Sequence, residues 1–264
     1  MLTRSRVFGV LMAMLLGLAP LGAVQAQTVD EIIKRGKVII GVNTTTPIFG
    51  ILGRDGQPEG YDPDVARLLG KYLGVPVEFV PVTAANRISF LLSNRIDMII
   101  ALFGITPERA QQVWYSIPYG ADAAVLVGPE SRKVKSVEEL AGLRVGVPRA
   151  ATQDLILTPS APSTATIMRY DDEATGLQAL ISGQIDLVGT GLLVNRTLNR
   201  NDPGKNYEVK VVLRELHFGI GVRRGSTDLL QWLNTFVYAI KNNGELDAIS
   251  VKWRELPLGP LPVF

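Results

Sequence analysis

The chain has 264 residues, 27 Lys and Arg against 25 Asp and Glu, one His and no Cys. A disulfide framework, a thiolate metal site and a Cys nucleophile are therefore excluded, and one imidazole cannot build a multi-His zinc site. Any metal would have to be held by oxygen; no metal site, no cofactor and no catalytic residue is expected.

Residues 1–26 carry Arg4 and Arg6, no acid, an apolar run from Val7 to Val24 and a small-residue exit at Val24-Gln25-Ala26. This is the layout of a cleaved secretory signal peptide, so the mature chain is expected to start at Gln27 and to reside in the periplasm. Loss of the two arginines leaves 25 basic and 25 acidic residues. A neutral chain lacks the basic excess of a nucleic-acid binder, and no nucleic acid is expected as a partner.

Beyond the leader, short β-rich runs alternate with amphipathic segments. Residues 37–42 (KVIIGV), 75–82 (VPVEFVPV) and 96–102 (IDMIIAL) read as strands, the second weakened by its two prolines. Between the first two, Asp62-Pro63-Asp64 has the chemistry of a helix start, with Asp62 as the cap and Pro63 at the first helical position. Val65, Leu68, Leu69, Tyr72 and Leu73 then share one helical face, and Gly74 closes it. A further helix is expected over residues 226–241, broken by Gly244 before a last helix through Trp253. Such alternation specifies an α/β fold with a mostly parallel sheet.

Two internal echoes subdivide the chain. Residues 91–100 (LLSNRIDMII) match 180–189 (LISGQIDLVG), and Ile40-Gly41-Val42 matches Val145-Gly146-Val147, in the same order in both halves. Extended runs at 120–130 and 209–223 flank the second copy. The reading is two lobes on one plan, with lobe one at 27–124 and 216–264, lobe two at 125–215, and two chain crossings forming a hinge beside a ligand cleft.

In open α/β sheets, ligands bind beyond the carboxyl ends of the strands. That rule selects the loops 43–49, 103–109, 149–153 and 189–192. Thr106-Pro107-Glu108 is a helix start, so the N–H groups around Gly104 to Thr106 are expected to be free for an anion, and Arg109 in the first turn can take a carboxylate bidentately. Asp62 and Asp64 are explained by capping. His217 is expected to be packed or to face the hinge, and Trp114, Tyr115, Tyr119 and Trp253 to be packing residues.

Residues 60–74 (GYDPDVARLLGKYLG), 86–119, 140–154 (LAGLRVGVPRAATQD), 218–230 and 242–253 together resemble the amino-acid-type, family 3 solute-binding proteins of ABC importers. The resemblance implies a two-lobed type II periplasmic binding protein fold. It implies that Arg109 clamps the ligand's α-carboxylate, that Thr152 adds a hydroxyl from lobe two, and that Gly104 and Thr106 belong to the ligand loop. Arg87 matches an arginine that reaches a side-chain carboxylate in the glutamate/aspartate branch, but the second basic residue of that branch is replaced by Asn43. The aspartate that receives the ligand's ammonium falls at Gly191, after Thr190. Either Glu173 or Asp172 substitutes for it, or the ligand has no ammonium. The lobe-two Gly-Thr-Thr has become Ala150-Ala151-Thr152, and the aromatic lid near Thr46 is missing unless Phe49 supplies it.

The implied function is capture of a small carboxylate solute, an amino acid foremost, by a monomer that delivers it to an ABC permease in the inner membrane. The alternative is a periplasmic enzyme on the same fold, such as a cyclohexadienyl dehydratase, with Glu173 as its acid.

Overall fold

The computed structural model describes residues 26–202 and 204–262. The expected signal peptide, apart from Ala26, lies outside the described residues. In chain order the first part comprises α1 (Val29–Arg35), β1 (Val38–Val42), β2 (Thr45–Thr46), β3 (Gly50–Leu52), β4 (Pro58–Glu59), α2 (Tyr61–Leu73), β5 (Val77–Pro81), α3 (Arg87–Leu92), β6 (Met98–Ile99), α4 (Pro107–Ala110) and β7 (Val113–Tyr115). The middle part comprises β8 (Gly120–Pro129), β9 (Arg144–Pro148), α5 (Thr152–Ser160), β10 (Thr166–Tyr170), α6 (Glu173–Ile181), β11 (Leu187–Gly191), α7 (Val194–Asn201) and β12 (Tyr207–Phe218). The chain closes with β13 (Gly221–Arg223), α8 (Thr227–Asn242) and α9 (Glu245–Arg254).

Two five-stranded sheets, ordered β5-β1-β6-β13-β7 and β10-β9-β11-β8-β12, make two lobes, and β2, β3 and β4 form a small antiparallel sheet. In each lobe the first three strands run parallel and the next is antiparallel, because it enters from the other lobe. The chain changes sheet between β7 and β8 and again between β12 and β13. Residues 209–223, read as one extended run, are thus two strands in different sheets. The β8–β12 pair is the longest ladder in the molecule, with two bulges. The two prolines in 75–82 are accommodated because β5 is an edge strand, where a missing N–H costs no ladder bond.

The echo between the halves has a physical cause. After α3 the chain turns through Asn94 (φ 59°) and after α6 through Gly183 (φ 75°), each in the left-handed region. Asp97 then accepts the N–H of Ile39 at 2.8 Å, and Asp186 accepts that of Arg144 at 2.9 Å. Each aspartate ties its strand turn to the start of the lobe's first strand.

One expectation fails at α2. Its cap is Gly60, at φ 140°, and Tyr61 is the first helical residue, so Asp62 caps nothing. Its carboxylate turns inward, fully buried, and accepts from Tyr119 Oη at 2.8 Å and from the Leu102 N–H at 2.6 Å. Asp64 behaves as a surface acid, paired with Arg67 and Lys252 and taking the Trp253 indole N–H at 2.7 Å.

Candidate functional site

The loop after β6 supplies the lobe-one wall. Leu102 sits at φ 47°, a left-handed conformation that a branched side chain adopts only under constraint, and the Asp62 carboxylate on its N–H is that constraint. Thr106 caps α4, its hydroxyl accepting the Arg109 N–H at 3.3 Å, as the Thr-Pro-Glu signal predicts. Two of the N–H groups expected to be free for an anion are taken, Gly104 donating to Leu102 O at 3.1 Å and Ile105 to His217 O at 2.9 Å, while that of Thr106 has no partner among the described residues. Gly104 contributes a carbonyl to the site.

That carbonyl accepts from Arg109 Nη1 at 3.0 Å. The same guanidinium reaches across to lobe two, donating from Nη1 to Thr152 Oγ1 and from Nη2 to Ala150 O, each at 3.3 Å. Ala150 can offer its carbonyl because it too is left-handed, at φ 59°, with its N–H held by Asp154 Oδ2 at 2.9 Å. Arg109 is 5 % exposed and forms no ion pair among the described residues. Arg87, at the start of α3, lies over the Phe103 ring at 4.5 Å and donates to Ala101 O at 2.8 Å. Burial, reinforced by the nearby Arg109 charge, lowers its pKa to about 9. It stays a cation at neutral pH.

Opposite them, Glu173 is the first residue of α6, with Asp172 as the cap. Its Oε1 accepts the hydroxyl of Thr190, and burial pushes its carboxyl up to about 7 against that hydrogen bond, with Asp122 and Asp172 adding to the rise. Thr190 is fully buried and serves Glu173. Asn43 uses its side-chain oxygen to accept the N–H of Thr45 at 2.7 Å and of Thr46 at 3.0 Å, shaping the loop after β1.

Asn43, Arg87, Leu102, Thr152, Glu173 and Gly191 line one cavity between the lobes, of about 50 Å³. Ligand pockets usually run to roughly 300–1,000 Å³, so the lobes are closed on one another. A larger cavity of about 810 Å³ lies at the far end of lobe two, beside the ion-paired Arg132, Arg144 and Asp186. The small interlobe cavity is the better site: both lobes converge there at strand carboxyl ends, and its ionisable groups are perturbed.

Phe49 does not join it. Its ring is fully buried in lobe one, edge-on to Tyr61 and Phe218, so no aromatic lid comes from this position. Sequence reasoning also missed Leu102, Ala150, Asp62 and Asp122. An acid four residues after Ala150 was the available signal for that turn; nothing in the sequence marked Asp122.

The cleft thus sets the Arg87 cation of lobe one opposite the Glu173 carboxyl of lobe two. Residues 38–255 match the family described as bacterial extracellular solute-binding proteins, family 3, and the chain belongs to that family. An L-cystine-binding protein of Escherichia coli is 29% identical over 96% of this chain and 96% of its own length. A glutamine-binding protein of an ABC transporter in Bacillus subtilis is 31% identical over 86% of this chain and 84% of its own. Among solved structures, a solute receptor for L-cysteine of Neisseria gonorrhoeae superposes with a TM-score of 0.81 at 30% identity, covering 86% of this chain and 93% of that one. An ancestral amino acid-binding protein, a precursor of cyclohexadienyl dehydratase, gives 0.79 at 30% identity over 86% and 99%.

Proposed function

We propose that this protein captures a small α-amino acid in the periplasm, after removal of residues 1–26, and presents it as a monomer to an ABC permease in the inner membrane. The observation that carries this reading is Arg109, a buried guanidinium without an ion-pair partner among the described residues, which bridges both lobes through Ala150 and Thr152, the latter lining the same cavity as Arg87 and Glu173. A carboxylate placed between Arg109 and the Thr152 hydroxyl replaces the long protein contacts with charge-assisted ones. The ligand's ammonium lies toward Glu173. Amino-acid ligands in the names of several relatives support the class.

Lobe one binds first, and rotation about β8 and β12 brings lobe two over the ligand. The two chain crossings suit this motion, since Gly120 pairs with Phe218, so β8 and β12 enter and leave the lobe-two sheet side by side at one end of one ladder. Closure excludes water and strengthens each charged contact. The closed outline is what the permease reads. On this reading no reaction is catalysed and no cofactor is needed.

A thermal-shift panel of the common amino acids, with their oxo-acid and des-amino counterparts, tests it, because a ligand that binds only the folded state raises apparent stability. Shifts from amino acids alone are expected. A second reading, an enzyme with Glu173 as proton donor, draws on the carboxyl's rise to about 7. Turnover of a cyclohexadienyl acid, lost in Glu173→Gln, would replace the first reading with this one.

A further inference from the structure

The lobe-two wall holds a second carboxylate that no ligand contact explains. Asp122 lies on β8, two residues before Ala124, and Ala124 pairs with Gly191 on β11. Because side chains alternate along a strand, Asp122 and Ala124 project from the same face. One oxygen, Oδ2, is buried without a hydrogen-bond partner among the described residues. A Cβ built on Gly191 would stand 2.5 Å from that oxygen, comparable with the spacing between Cβ and a carboxylate oxygen inside a single aspartate. The acid that position 191 lacks is thus supplied from the neighbouring strand. Glycine at 191 is the condition for it, since any side chain there would displace the Asp122 carboxylate.

Gly191 lines the interlobe cavity, so the Asp122 carboxylate stands one backbone thickness behind the wall. Asp122 forms no ion pair among the described residues. Arg254 is near enough to favour its charge and the Ala123 and Leu193 amides do the same, yet burial outweighs all three and raises its carboxyl to about 6. Glu215, His217 and Arg196 line the groove on its other side. Glu173 is buried while Asp122 is half-buried, and the Asp122 charge raises Glu173. A cation placed against the wall favours the ionised form of both carboxyls.

We propose that Asp122 is a specificity-determining residue of this site: acting from behind Gly191 and together with Glu173, it makes the lobe-two wall select ligands that carry an ammonium beside the carboxylate. It touches no ligand atom and acts through the field it adds at the wall. This inference rests on the amino-acid reading above and assigns the group that enforces it.

The test compares, by calorimetry on the whole mature chain, L-alanine with propionate, L-glutamine with glutaramate, and L-cysteine with mercaptopropionate. The quantity read is the affinity ratio of each amino acid to its des-amino partner. In Asp122→Asn this ratio should fall about tenfold, the effect of losing one unit's worth of charge preference, with the des-amino acid unaffected or bound slightly better. Gly191→Ala should lower it in the same direction by pushing the carboxylate aside, and it keeps the question open to measurement should Asp122→Asn fold poorly. The double variant should match Asp122→Asn, because the two changes remove one interaction. A ratio unchanged in both single variants overturns the role of Asp122 and leaves the amino-acid reading standing. Wild-type protein that binds no amino acid of the thermal-shift panel removes that reading and this inference with it.

Discussion

Asp62 illustrates how a single residue is decided by competing free energies. Two hydrogen bonds favour its carboxylate, yet burial wins and the group is pushed up to about 7. What Asp62 contributes is therefore acceptor geometry more than charge: it fixes Leu102 in the ligand loop and Tyr119 at the approach to β8. Asp62→Asn can keep both contacts, its amide donating to the Tyr119 hydroxyl, and should change stability by less than about 1 kcal/mol. Asp62→Ala leaves a buried N–H and a hydroxyl unpaired and should cost on the order of 3 kcal/mol in urea unfolding. Equal stability of the two variants would show that the contacts hold nothing in place. The sequence made Arg109 visible because Thr-Pro-Glu marks a helix start whatever surrounds it. Asp62 was misread for the converse reason: an acid ahead of a proline looks the same whether it caps a helix or turns into the core, and its partners lie 40 and 57 residues away.

At the scale of elements, the repeated Ile-Asp turn was readable from the sequence, since both copies keep the same spacing, but its energetics differ between lobes. Asp97 is 3 % exposed and serves Arg35, Gln27 Nε2 and the Ile39 N–H at once. Asp186 is more open, and although burial opposes it, Arg144 and Arg132 hold its carboxyl below the usual range. Truncating a buried charged partner typically costs about 3–5 kcal/mol, against roughly 0–1 kcal/mol for an exposed pair. Asp97→Ala should therefore destabilise the protein by at least about 2 kcal/mol more than Asp186→Ala, measured by denaturant midpoint at equal m-value. A reversed order would contradict the burial argument. Strand lengths were less legible. Residues 96–102 shrink to the two-residue β6 because the chain leaves the sheet at once to form the ligand loop, and periodicity carries no sign of that departure.

For the whole molecule, three acids, Asp62 and Glu173 buried and Asp122 half-buried, set the response to pH. Asp62 and Glu173 rise to about 7 and Asp122 to about 6, all above their values in an unfolded chain. Groups raised in this way stabilise the fold fully below their unfolded values, near 4, and lose that contribution as pH climbs to about 7. The unliganded protein should melt several degrees higher at pH 5 than at pH 8, and Glu173→Gln should reduce the difference without abolishing it. A flat profile in the wild type would mean that these groups titrate normally. The two-lobed plan was legible because the echoes keep their order. The closeness of the lobes was not, because Arg109 meets Ala150 and Thr152 through contacts 41 and 43 residues apart that no local pattern encodes.

The central claim is that a ligand carboxylate is held between the lobes by Arg109. Calorimetric titration of the best amino acid from the thermal-shift panel into wild type and Arg109→Met tests it most directly. Truncating one partner of a buried charge pair costs about 2–5 kcal/mol, so affinity should fall by at least about thirtyfold while the melting curve still reports a folded protein. Undiminished affinity in a folded Arg109→Met variant would contradict the account.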